Sequence, residues 1–72
     1  MSQLIVYNVL KTLGGHATSK EIRKKLLEMY PAEYVFLKQR YWNKVKALRK
    51  WNIVTYSRST GQYHILDWNA KI

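Results

Sequence analysis

The chain has 72 residues, a hydrophobic fraction of 47% and no cysteine. This length fits one small domain, and the apolar fraction excludes a chain that is disordered throughout. The absence of cysteine excludes disulfides, thiolate metal sites and a cysteine nucleophile. Thirteen Lys and Arg against four Asp and Glu give a formal charge of +9. We therefore expect a polyanionic partner, either nucleic acid or an anionic membrane surface.

Nothing in the sequence indicates a membrane span or a second domain. No apolar segment approaches the ~20 residues of a spanning helix, and the first residues lack the positive region of a signal peptide. We predict a single domain over residues 1–72. We expect it in the cytoplasm, or in the host cytoplasm if a virus or plasmid encodes it.

Residues 2–13 predict a first helix that is apolar over most of its surface. Gly14-Gly15 follows, and a glycine there suits the left-handed cap of a helix. Two interpretations stay open: the helix is the central core helix of a monomer, or part of it lies in a homodimer interface. Trp68 and the tail to residue 72 have no assigned partner within one chain, which also favours a homodimer.

The second helix is predicted from a capping-box pattern, Thr18 followed by Glu21. Pro31 ends it, because proline cannot donate to the preceding turn and disfavours helical geometry in the residue before it.

The third helix is predicted over residues 32–51, with one apolar and one polar side. Its apolar stripe consists of Tyr34, Leu37, Tyr41, Val45 and Leu48. At 100° per residue, the opposite side carries Gln39, Asn43, Lys46 and Lys50, flanked by Arg40, Trp42, Ala47 and Arg49. None of these opposite or flanking residues is acidic, so nothing on this side repels a phosphate.

A β-hairpin is predicted at the end of the chain. Residues 53–57 and 62–67 are rich in β-branched and aromatic side chains, and a short turn containing Gly61 separates them. Arg58, Ser59 and Thr60 supply a cation and two hydroxyls at the tip.

In this order, three helices and a hairpin resemble a winged helix-turn-helix DNA-binding domain, an α+β fold. The resemblance covers residues 4–68. It is carried by Gly14-Gly15, by residues 17–22 at the start of the second helix, and by residues 45–54, where the third helix runs into the hairpin. In this family a glycine usually ends the third helix. Here Asn52 takes that place, and Asn tolerates the left-handed conformation.

The resemblance implies that the third helix is the recognition helix and the hairpin is the wing. A recognition helix places its N-terminal half against base edges, where Gln and Asn pair with adenine and Arg with guanine. We therefore predict base contacts for Gln39, Arg40 and Asn43. A second set of residues is predicted to contact the DNA backbone: Thr18, Ser19, Lys20, Lys24, Lys38, Lys44, Lys46 and Lys50. The hairpin tip, with Arg58, Ser59 and Thr60, is predicted to contact the backbone or the minor groove. Each also has a plainer interpretation, as a solvated side chain or, for Thr18, as a helix cap.

The aromatic residues invite a second model, stacking on single-stranded nucleic acid. Most of them, however, have the spacing of core residues: Tyr34, Tyr41, Tyr56 and Tyr63, with Trp51 at the junction of the third helix and the hairpin. Trp42 is the exception, near the polar side.

Catalysis has little support. His16 and His64 are distant in sequence and lack a carboxylate cluster, and no serine has a recognisable base and orienting acid. We expect no enzyme activity, cofactor, metal or small-molecule ligand.

The function predicted from the sequence is sequence-specific binding of double-stranded DNA by a homodimeric transcriptional regulator. The alternative is a non-specific or architectural DNA-binding protein, for which charge and shape suffice. A protein-interaction module and a membrane-surface binder are weaker alternatives.

Overall fold

A computed structural model describes residues 2–71 of the chain. In chain order its elements are α1 (Ser2–Thr12), β1 (His16–Thr18), α2 (Ser19–Met29), α3 (Pro31–Lys50), β2 (Val54–Ser57) and β3 (Gln62–Ile65). The fold is α+β, with three helices and a three-stranded antiparallel sheet in the order β1-β3-β2 within this range. The predicted helices and hairpin are confirmed, whereas the predicted two-stranded sheet is incomplete because β1 adds a third strand. None of the helices in this range combines the length and apolar character that crossing a bilayer requires.

The additional strand β1 is held by pairing with β3. Ala17 is the register partner of Tyr63, and the N–H of Ile65 donates to the carbonyl of Gly15 over 2.8 Å, which extends the pairing. A three-residue strand is too short to show the alternation of apolar and polar residues by which strands are predicted. Tertiary pairing therefore determines β1.

Two helices end in the same left-handed cap. At the end of α1, the N–H of Gly15 donates to the carbonyl of Leu10 (2.9 Å) and that of Gly14 to the carbonyl of Lys11 (3.0 Å). Gly14 has a φ of +89°, so this is a Schellman motif. The same pair of bonds ends α3, where Asn52 has a φ of +59°. The prediction that Asn52 adopts the left-handed conformation at the end of the third helix is confirmed.

The start of α2 is fixed by the predicted capping box. The N–H of Glu21 donates to the hydroxyl of Thr18 (3.2 Å), and the N–H of Thr18 donates to the Glu21 carboxylate (2.9 Å). The hydrogen bond that the Thr18 N–H donates to the Glu21 carboxylate is the main cause that holds the pKa of Glu21 below its usual value. Only Tyr30 separates α2 from α3, and Pro31 occupies the start of α3, where its missing N–H is not needed.

The core lies where α1 packs against the other two helices and the sheet. Val6, Tyr7, Val9 and Leu10 are each at most 2% exposed, so the apolar surface of α1 is largely covered within one chain. The rest of the core is Ala17, Ile22, Leu26, Leu37, Tyr41, Val45, Leu48, Ile53, Val54, Tyr63 and Ile65. This burial favours the first interpretation of α1, as the central core helix.

The C-terminal segment is anchored to α1. The hydroxyl of Tyr7 donates to the carbonyl of Asp67 (2.6 Å) and accepts from the N–H of Ala70 (3.4 Å). The ring of Trp68 lies against Gly15, so closely that a Cβ on this glycine would overlap it. The expectation that Trp68 and the tail lack a partner in the monomer is therefore wrong for residues 68–70, and residue 72 lies outside the described range.

The aromatic predictions are confirmed in part. Tyr41 and Tyr63 are buried and Tyr34 is half-buried, but Tyr56 is 39% exposed and Trp51 is 54% exposed. Tyr56 packs against the ring of Tyr63, at 4.9 Å between centroids.

Candidate nucleic-acid interface

The polar side of α3 faces solvent as the helical spacing predicts. Leu37, Tyr41, Val45 and Leu48 are buried, whereas the residues on the opposite side are exposed: Gln39, Asn43, Lys46 and Lys50. We call these four residues the outward face of α3. Their spacing places two amides in the first half of the face and two amines in the second.

The flanks of α3 hold the remaining predicted contacts on this helix. Arg40 is exposed and lines one hollow together with Gln39 and Lys44. Lys44 is half-buried, and helical spacing puts it and Lys38 nearer the buried stripe than Lys46. The backbone positions of Lys38 and Lys44 lie away from the outward face. Their side chains must extend fully to bring the amines to a partner bound there.

The positive charge of α3 is not neutralised inside the molecule. The helix carries six Lys or Arg and one acidic residue, Glu33. Within residues 2–71 the ion pair that forms joins Lys25 to Glu28 on α2, at 3.1 Å. Since no cation of α3 takes part in an ion pair there, these charges are available to an anionic partner.

The start of α2 and the hairpin turn lie side by side. Thr18, the last residue of β1, is the register partner of Gln62, which also pairs with Ser57 on β2. The hydroxyl of Ser19 donates to the hydroxyl of Tyr41 over 3.2 Å and so ties the start of α2 to α3. The structure thus brings together the start of α2, the middle of α3 and the hairpin turn, which are far apart in sequence.

The hairpin turn exposes the residues predicted at its tip. The N–H of Gly61 closes the turn by donating to the carbonyl of Ser57 (2.8 Å), and Gly61 adopts a φ of +68°. Arg58, Ser59 and Thr60 are exposed. The turn therefore presents a guanidinium and hydroxyls next to the end of β1.

A group of aromatic rings links α3 to the hairpin, which sequence reasoning did not predict. The ring of Trp42 lies 6.5 Å from that of Tyr63, and the guanidinium of Arg49 lies 6.0 Å from the ring of Tyr56. Trp42 is 54% exposed and Tyr56 is 39% exposed. These two rings and the Arg49 guanidinium therefore lie where α3 meets the hairpin. Burial raises the pKa of the Tyr41 and Tyr63 hydroxyls. No local pattern could reveal this group, because it depends on how α3 packs against the sheet.

Two large apolar side chains at the start of α3 are uncovered. Phe36 is 75% exposed and Val35 is 58% exposed. They border a hollow of about 420 Å³ whose lining is Val35, Phe36, Leu37, Gln39, Arg40 and Lys44. The apolar spacing of α3 did not single out Val35 or Phe36, since neither belongs to the buried stripe.

The two histidines meet across the sheet although they are distant in sequence. His16 on β1 is the register partner of His64 on β3, and their rings stack at 5.9 Å between centroids. In the described part of the chain, no group of three or more His, Cys, Asp or Glu is placed to hold a metal ion.

Comparisons with protein-family models, with curated proteins and with solved structures gave no match to this chain.

Proposed function

We propose that this protein is a winged helix-turn-helix domain that binds double-stranded DNA. In this proposal α3 enters the major groove, and the β2–β3 hairpin acts as the wing on the backbone or in the minor groove. The observation that carries it is that the start of α2 and the hairpin turn meet the middle of α3, whose cations form no ion pair within residues 2–71. An α-helix is ~10–12 Å across with its side chains, which matches the ~12 Å width of the major groove.

The outward face of α3 supports a division of roles along the helix. Gln39 and Asn43, with Arg40 beside them, can form bidentate hydrogen bonds with base edges. Lys46 and Lys50 lie one to two turns later, where a helix leaving the groove passes the phosphates.

At the start of α2, the available phosphate ligand is Lys20 rather than Thr18. Thr18 is engaged in the capping box, and the Glu21 carboxylate already occupies the positive end of the helix. The Ser19 hydroxyl is engaged with Tyr41. Lys20 is exposed, and so is Arg58 on the hairpin turn, which offers a second cation.

Two amides and a guanidinium on the exposed side of α3 favour base reading, and therefore a sequence-specific regulator of transcription. A non-specific or architectural DNA-binding protein is the second candidate. The charge of +9 favours this candidate as much as the sequence-specific one, because phosphate contacts do not depend on sequence. Competition between a selected duplex and random DNA separates the two.

Two alanine substitutions on α3 test the proposal. We expect Asn43→Ala to cost ~1–3 kcal/mol on the preferred site and to relax preference at one base pair, because it removes a bidentate base contact. Lys50→Ala should weaken specific and random duplexes alike, because a phosphate contact carries no sequence information. Duplexes selected from a random pool, followed by affinity measurements on each variant, provide the readout.

If Asn43→Ala leaves both affinity and preference unchanged, this face does not read bases. The architectural candidate would then be favoured. Asn43 is exposed and alanine favours helix, so the variant should fold.

A homodimer is part of the proposal, through the edge of α1 that the core leaves half-covered. Leu4 and Ile5 are half-buried there. A twofold dimer would pair two copies of α3 on neighbouring half-sites. Sedimentation at micromolar concentration, with and without duplex DNA, should show twice the mass of the chain. A monomer under both conditions would refute the dimer and leave single-site binding.

A further inference from the structure

We infer that α3 reads the 5-methyl groups of thymine through Val35 and Phe36, and that the protein therefore prefers duplexes rich in A·T pairs. This inference rests on the proposed DNA binding, and it specifies which group of the base pair the exposed side of α3 recognises. Its starting point is the exposed apolar pair at the beginning of α3.

The exposure of this pair is unusual within the molecule. Among the large apolar side chains of residues 2–71, Phe36 and Val35 have the two highest exposed fractions, at 75% and 58%. The side of a helix that faces away from the core normally carries polar residues. Neighbouring exposed apolar groups of this kind indicate a binding surface.

The apolar pair continues the outward face towards the N-terminus of α3. Val35 precedes Gln39 by one turn, and Phe36 precedes Arg40 by one turn, so each pair shares a side of the helix. Phe36, Gln39 and Arg40 also line the same hollow. A partner that touches the amide of Gln39 in this hollow therefore also meets the ring of Phe36.

The charges around the pair select the partner. Lys38 and Arg40 follow one turn after it, and Glu33 is the only acidic residue of α3. The partner must therefore present apolar groups close to anionic ones. The major groove of A·T-rich DNA does so, since each thymine offers a methyl group between two phosphate backbones and the paired adenine offers the edge that Gln and Asn bind. A second copy of the chain that docked through this same surface would place its own Lys38 and Arg40 against these cations and be repelled there, whereas the proposed homodimer uses the edge of α1.

Duplexes that differ only in a methyl group test this inference. The probes are alternating A·T duplexes with thymine or with uracil, and alternating G·C duplexes with cytosine or with 5-methylcytosine. For the wild-type protein, replacing thymine by uracil should lower affinity about fourfold for each buried methyl, from the transfer free energy of one such group. 5-Methylcytosine should raise the affinity for the G·C duplex, because it puts the same methyl group in the major groove.

Phe36→Ala connects the effect to this side chain. In that variant the ratio of the affinity for the thymine duplex to the affinity for the uracil duplex should fall below about twofold. A difference of that size is expected even when two sites do not interact. Leu27→Ala is the matched control, because Leu27 is 48% exposed on α2 and does not line the hollow; it should keep the wild-type ratio. Circular dichroism checks that both variants fold, which we expect because alanine favours helix.

The outcomes separate this inference from the proposed function. Binding to all four duplexes with equal affinity would overturn thymine reading and leave DNA binding intact, whereas no binding to any duplex would overturn both. If Phe36→Ala keeps the wild-type ratio of affinities for the thymine and uracil duplexes, thymine reading by Phe36 would also be overturned. In that case, loss of self-association in sedimentation would assign the pair to a protein contact, and loss of binding to vesicles of anionic lipid would assign it to a membrane.

Discussion

Raising the salt concentration from 50 to 200 mM should weaken binding to duplex DNA by about 10³–10⁵-fold, if roughly six to ten phosphates are contacted. The reason is that each neutralised phosphate releases condensed counterions, so log affinity falls by ~0.9 per contact for each unit of log salt. The cations of α3 have no ion pair within residues 2–71, so no internal bond must break before they bind. Fluorescence anisotropy with a labelled duplex over a salt series measures the slope.

A pair of lysine variants controls for net charge. Lys50→Ala should make the salt slope shallower by about one unit, because it removes one phosphate contact. Lys71→Ala removes the same charge from the exposed C-terminal segment, beyond the part anchored to α1, and should leave the slope unchanged. A slope near zero for the wild-type protein would remove the electrostatic basis of the proposed function.

Gly15→Ala should destabilise the fold more than Gly14→Ala. Both glycines have a positive φ, +86° and +89°, so each substitution carries a backbone cost of ~1–2 kcal/mol. At Gly14 there is open space around the added methyl, whereas at Gly15 it would overlap the ring of Trp68. Trp68 is 47% exposed, so displacing its ring from Gly15 should cost a further ~1–2 kcal/mol of apolar burial. Urea denaturation of the two variants measures the difference in unfolding free energy.

The Trp68→Ala background identifies the cause of that difference. Without the indole, Gly15→Ala and Gly14→Ala should cost the same, since only the backbone term remains. If the two glycine variants are already equal in the wild-type background, the indole does not rest on Gly15 and the C-terminal segment is not anchored as described.

Several features of the fold could be predicted because their causes are local. The capping box needs only Thr18 and Glu21 at the right spacing, and the left-handed caps need a residue such as Gly14 or Asn52 that tolerates positive φ. The buried stripe of α3 follows from helical periodicity alone. The same periodicity placed Asn43 and Lys50 on the exposed side, so most of the candidate interface on this helix was visible in the sequence.

The remaining features depend on contacts between segments distant in sequence, and only the tertiary structure decided them. β1 exists because Ala17 pairs with Tyr63, and the C-terminal segment has a partner because Asp67 and Ala70 bond to the hydroxyl of Tyr7. Helical spacing puts Phe36 off the stripe that contains Leu37, but its 75% exposure depends on the packing of the other elements, which leaves that side of α3 uncovered within residues 2–71. Local sequence determines which side of a helix each residue occupies, but only the packing of other elements determines which sides lose contact with water.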